Sequence, residues 1–227
     1  MRVRLSIAFW LVGVAMLPAQ QAPDKQEINR MMDAIRAAVR MDDWAEASRI
    51  AIRLNATLLE WRTKAQASPA LEMQHLEMLA GKDSISRNPL LPRMTKAAFA
   101  AGDWARAERY ANEALEAATH GVFWWTGDAI HQGNIVLGRL AMRRSDLEQA
   151  KRFLLAAGKT PGSSSLTSLG PNMALAKELL DHGESAAVLE YLRESVEFWH
   201  ADRGKLAEWT ALIRASLKPD FGANLTY

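Results

Sequence analysis

The stretch AAFAAGDWARAERYANEALEAA, residues 97–118, decides how the chain folds. Gly102-Asp103 separates two alanine-rich runs. After it, Trp104, Ala107, Ala111, Ala114 and Ala118 recur at steps of three and four, which places them on one face of a helix. Glycine frees the backbone to leave the first helix, and the Asp103 carboxylate can accept from the open N–H groups of the second. Alanines on the shared face let the two helices approach closely. The stretch predicts a helical hairpin.

The same frame appears three more times. RMDDWAEASRIAIRL (residues 40–54) sets Trp44, Ala47, Ala51 and Leu54 against Trp104, Ala107, Ala111 and Ala114. Residues 136–162 set Leu147, Ala150, Leu154 and Ala157 in that frame after Asp146, and residues 175–199 follow with Gly183, Val188, Leu192 and Ser195. One hairpin cannot bury its apolar face alone, so four of one design predict an all-α array of stacked hairpins. Sparse β-branched residues among abundant alanine, leucine, glutamate and arginine agree. The recurring Trp44 and Trp104 read as packing residues.

Leu137-Gly138, Ala141, Ala150, Leu154, Ala157 and Pro161 fall on the spacing of a known motif. On these residues, and on GDWARAERYANEAL in the second unit, the chain resembles the tetratricopeptide (TPR) repeat family. The resemblance covers roughly residues 29–199, and residues 158–180 also look similar to exported bacterial repeat proteins of undefined function. Corresponding positions are 60, 43 and 38 residues apart, so insertions interrupt the array. Residues 55–90 are expected to prolong the first unit's second helix through Trp61 and to add a short helix, and residues 119–128 to form an aromatic turn. A closing helix carrying Leu206, Trp209 and Leu212-Ile213 is expected near the C-terminus. The repeat domain is placed at residues 23–217, with a tail, 218–227, packing back on it through Phe221, Leu225 and Tyr227.

The first 19 residues stand apart. Arg2 and Arg4 precede an apolar run at residues 5–17 and then Pro18-Ala19, the layout of a secretory signal peptide cleaved after Ala19, or alternatively Ala22. The run is too short to span a bilayer, so no transmembrane helix is expected in the mature chain. This predicts a periplasmic or secreted protein, held by packing because it has no cysteine. Removing Arg2 and Arg4, with no acid among the residues lost, takes the formal charge from +2 to 0. A general nucleic-acid role loses its electrostatic support.

Candidate chemistry is thin. Gly158-Lys159-Thr160 ends like a phosphate-binding loop, but Phe153 stands where that loop needs its first glycine, and a helical run precedes it where a strand is required. It reads as a helix end, with Gly158 as the capping glycine and Lys159 beside the negative end of the dipole. The serine-rich SSSLTSL that follows reads as a connector anchored by Leu166 and Leu169, with Pro171 opening the next helix. Asp128 and His131 lie three apart, either as a base and its orienter or as a helix cap and a buried, hydrogen-bonded histidine. Trp124-Trp125 lie off the repeat frame as a candidate aromatic patch. No catalytic residues, metal ligands or cofactor are assigned.

Six residues before each turn stand Arg36, Lys96, Arg139 and Lys177, and Arg143 extends the series in the third unit. The TPR resemblance implies that this position faces a concave groove. Two accounts stay open: a solvated helix face, or a groove that reads an acidic peptide or C-terminal carboxylate. The resulting expectation is a non-enzymatic scaffold binding a protein or peptide. An envelope-associated hydrolase using Asp128 and His131, and a structural subunit of an envelope assembly, are the alternatives.

Overall fold

A computed structural model of the chain describes residues 25–66, 68–81 and 83–226. The expected signal segment, its cleavage sites at Ala19 and Ala22, and Tyr227 lie outside the described residues. Among those described, every regular element is helical and none of them forms a strand: the fold is all-α. The helices are α1 (Lys25–Arg40), α2 (Trp44–Gln66), α3 (Pro69–Leu79), α4 (Ser84–Arg87), α5 (Leu91–Ala100), α6 (Trp104–Ala118), α7 (Thr126–Arg143), α8 (Leu147–Gly158), α9 (Ser164–Leu169), α10 (Ala174–Asp181), α11 (Ser185–Ser195) and α12 (Lys205–Arg214). The chain divides into two compact units, Met1–Leu58 and Leu59–Tyr227, within the span expected as one repeat domain, and the boundary falls inside α2.

The hairpins α1/α2, α5/α6, α7/α8 and α10/α11 share one turn. Asp42, Gly102, Ser145 and Gly183 each sit at positive φ, between 60° and 83°. The N–H after each of them donates five residues back, to the carbonyls of Ala38, Ala98, Ala141 and Leu179, at 2.9–3.0 Å. The N–H of the positive-φ residue itself donates to Val39, Phe99, Met142 or Leu180, at 2.9–3.1 Å. This pair of bonds satisfies the last carbonyls of the first helix. An N-terminal cap then opens three of the second helices: Asp43, Asp103 and Asp146 each accept from the N–H three residues on, at 2.9–3.0 Å. Glu184 holds the fourth cap position, its carboxylate one methylene further out, and it binds Lys151 at 3.1 Å instead. Ser145 pays a left-handed cost that glycine at 102 and 183 avoids. Ser145→Gly is expected to raise stability by about 0.5–1 kcal/mol, seen as a higher melting temperature. An unchanged or lower value would mean that the turn is not strained.

In the second unit α3 packs on α5, α5 on α6, α6 on α7, α7 on α8, α8 on α11 and α11 on α12, while α10 lies against α7 and α8. Helix α7 takes part in two cores. Val136, Leu137 and Leu140 join the cluster built with α3, α5 and α6, whereas Ile135 and Ala141 join the one built with α8, α10, α11 and α12. A helix buried on both sides needs small residues where its neighbours come near. A Cβ on Gly138 would meet Leu175 at 2.2 Å, and one on Gly133 would meet Leu115 at 3.1 Å.

The insertions follow the expectation: α2 runs past Trp61 to Gln66, and α3 supplies the short helix. The tail packs back. Phe221 is buried edge-on to Trp209 at 5.0 Å, and Asn224 accepts from Met173 N while its side chain donates to Leu169 O and Pro171 O.

Four local readings are corrected. Gly158 lies inside α8 and Lys159 caps it; glycine is needed there for close approach, because a Cβ would lie 2.9 Å from that of Glu194 and 3.2 Å from the Tyr191 ring. The serine-rich connector contains a helix, α9, capped by Ser163, and of its two leucines only Leu166 is buried. Pro171 precedes the next helix, which begins at Ala174 after Asn172 Oδ1 accepts its N–H. Trp44 is no packing residue: it is 62 % exposed, its indole N–H turned to Asp42.

Candidate functional site

Helices α5, α7 and α10, the first helices of the second unit's hairpins, line a cleft of about 770 Å³, together with Trp104 and with Leu225 and Thr226 of the tail. The shared turn sets this up. It fixes the phase of each first helix, so residues six before the turn repeat on equivalent faces. Lys96, Arg139 and Arg143 all reach the cleft.

Their circumstances differ. Arg139 directs Nε and Nη2 at Glu178 Oε1, both at 2.7 Å, and its guanidinium lies 4.3 Å over the Phe99 ring. It clamps α7 to α10. Arg143 stacks 3.8 Å over Trp104, which meets Phe99 edge-on at 5.1 Å. Lys96 is half-buried, and burial pushes its ammonium pKa down, with Glu72 opposing that shift and Arg93 adding to it. Among the described residues neither Lys96 nor Arg143 has a carboxylate within ion-pair distance, whereas Arg139 is engaged.

The sequence register missed the other wall. Glu178 and Asp181 of α10 line the cleft opposite the cations. Asp181 accepts from Lys218 at 2.7 Å and from Lys177 at 2.9 Å, and these two ammonium groups hold its pKa down to about 2. Both carboxylates are therefore already neutralised by partners.

Two of the expected groove residues are not in this cleft. Lys177 does not line it: an acid four residues on lies on the same helix face, and the pair closes locally. Arg36 belongs to the first unit, where it is exposed and paired with Asp33 at 2.9 Å.

Asp128 and His131 are not brought together. His131 is fully buried; its Nδ1–H donates to Ala157 O at 3.2 Å and its Nε2 accepts from Asn172 N at 2.9 Å. Both ring nitrogens are occupied by backbone, and burial lowers the pKa to about 4. Asp128 instead accepts from Ser163 and Ser165 at 2.8 Å, tying the start of α7 to α9. Trp124 and Trp125 also part company. Trp124 is 75 % exposed, whereas Trp125 is 6 % exposed and belongs to the core, stacked on Phe123 at 5.3 Å. Trp125, the residue just before α7, turns into the core, so the pair does not form one exposed patch.

Among the described residues no group of three or more histidine or carboxylate side chains is placed to hold a metal ion, and no helix is long and apolar enough to cross a membrane. No protein-family model, curated protein or solved structure matches the chain.

Proposed function

We propose that the chain is an exported, non-enzymatic helical scaffold of TPR-like design, and that the cleft lined by α5, α7 and α10 binds an acidic segment of a protein or peptide partner. The observation that carries this reading is the pair of uncommitted cations, Lys96 and Arg143, set beside Phe99 and Trp104. An ammonium that burial destabilises gains when a carboxylate arrives, because the anion replaces lost hydration. A guanidinium stacked on an indole is pre-oriented, so less side-chain freedom is lost on binding. Each charge-assisted bond contributes about 1.5–3 kcal/mol where water is excluded.

Arg139 has another part. With Glu178 it fixes the spacing of the two walls, so it shapes the cleft rather than gripping the ligand. The engagement of both His131 nitrogens supports binding over catalysis.

The test uses a partner captured from the exported fraction. Lys96→Glu combined with Arg143→Glu is expected to weaken it about tenfold or more, and the parent complex is expected to weaken steeply with salt. If the double variant retains the parent's helical circular dichroism and binds as tightly, the reading fails.

A further inference from the structure

A second cleft, of about 670 Å³, lies between α4 and the turn that leads into α7, and it shares no lining residue with the first. Ile85, Phe123 and Trp124 line it, and Ile85 is 86 % exposed. Exposed large apolar side chains gathered around one cleft mark a contact surface.

The turn that presents them is braced. Buried Thr126 accepts from Phe123 N at 2.8 Å and donates to Gly121 O at 3.2 Å, closing residues 121–126 upon themselves. Phe123 stacks on the core residue Trp125, which leaves Trp124 directed outward. A side chain held out by a built turn is pre-organised, and less freedom is lost on docking.

Charge selects the occupant. The ionisable side chains lining this cleft among the described residues are Glu113, Glu116 and His120. Glu113 is consumed by Arg87, its Oε2 accepting from Nη2 at 2.7 Å. Glu116 is exposed and makes no ion pair among the described residues. The cleft thus offers an exposed indole, a phenyl ring and one carboxylate outside any ion pair among the described residues, a set that suits a cation arriving with apolar neighbours.

We propose that this surface docks a protein segment in which a lysine or arginine accompanies large apolar side chains, opposite in charge to the ligand of the first cleft. The chain then joins two different partners.

The whole chain is used to select from a library of random dodecapeptides displayed on phage. The expected result is enrichment of peptides that combine an aromatic or large aliphatic residue with lysine or arginine. Their affinity is expected to fall about tenfold or more in Trp124→Ala and in Glu116→Lys, and to be kept in the Lys96→Glu, Arg143→Glu protein. Trp124 and Glu116 are both exposed, so neither change removes core packing. Loss in the last protein alone would place the peptides in the first cleft and overturn the proposal. Acidic peptides belong to the first cleft and are recognised by their loss in the Lys96→Glu, Arg143→Glu protein; failure to enrich any peptide that combines large apolar residues with lysine or arginine would overturn the proposal too. So would Trp124-dependent sedimentation with phosphatidylcholine vesicles in place of peptide binding, which would make the surface membrane-facing.

Discussion

His131→Ala is expected to cost about 3–5 kcal/mol of stability, read as a lower urea midpoint with no change in its slope. The ring is fully buried, and its loss leaves a cavity between Tyr191 and Phe198, whose rings lie 6.3 Å and 6.0 Å away. It also removes the ring's bonds to Ala157 O and Asn172 N. A cost below about 1 kcal/mol would show that the ring does not connect α7, α8 and the entry to α10. The same residue makes stability depend on pH. In the folded chain the imidazole stays neutral down to about 4, whereas in the unfolded chain it takes a proton below 6.5. Unfolding therefore binds a proton between those values, and this contribution is complete above 6.5 and lost as pH falls towards 4. Its full size is about 3 kcal/mol. His131→Gln keeps an acceptor for Asn172 N–H and cannot titrate, so its stability should fall less than the parent's between pH 7 and pH 4.5. Parallel curves would sink the assignment.

Gly127→Ala is expected to be more damaging still, costing about 4 kcal/mol or more. A Cβ there would stand 1.8 Å from the carbonyl oxygen of Gly162 and 2.3 Å from its carbon. The obstacle is backbone, so no rotamer can relieve it. The opening of α7 and the α8–α9 connection are moreover joined across this contact by Thr160 Oγ1, which donates to Gly127 O at 2.9 Å, and by the Asp128 bonds to Ser163 and Ser165. Gly183→Ala is the control: its φ is +83° and its missing Cβ would meet nothing within 4 Å. It should cost only the left-handed penalty, about 1–2 kcal/mol. A Gly127→Ala protein that melts with the parent would refute the contact.

The hairpins were legible in the sequence because their signals are local. Gly102 and Gly183 announce left-handed positions, and Asp103 announces a cap that forms as read. Trp44 and Trp104 occupy matching positions yet differ in exposure, since sequence register fixes a residue's place on its helix but not what lies opposite. The candidate site divides in the same way. Lys96, Arg139 and Arg143 could be found by counting back from the turns. Glu178 pairs with Arg139 across 39 residues, and no local rule reports such a pairing. Its one signal is that it directly follows the register position Lys177. Glycine at 127 and 138 marks a neighbour that comes too close for a side chain, which only the folded packing reveals.

The way the tail is fastened bears on the order in which the chain acquires structure during synthesis. Asn224 bonds Met173, Leu169 and Pro171, more than 50 positions upstream, and Phe221 covers Trp209. The helices from α3 to α7 bury most of one core among themselves and have the partners to settle while the ribosome is still at work. The connection between α9 and α10 does not: its backbone waits for residues made more than 50 positions later. Until Asn224 emerges, a nascent chain carries a finished front half and an unclosed rear, with Met173 N–H and two carbonyls still open to water.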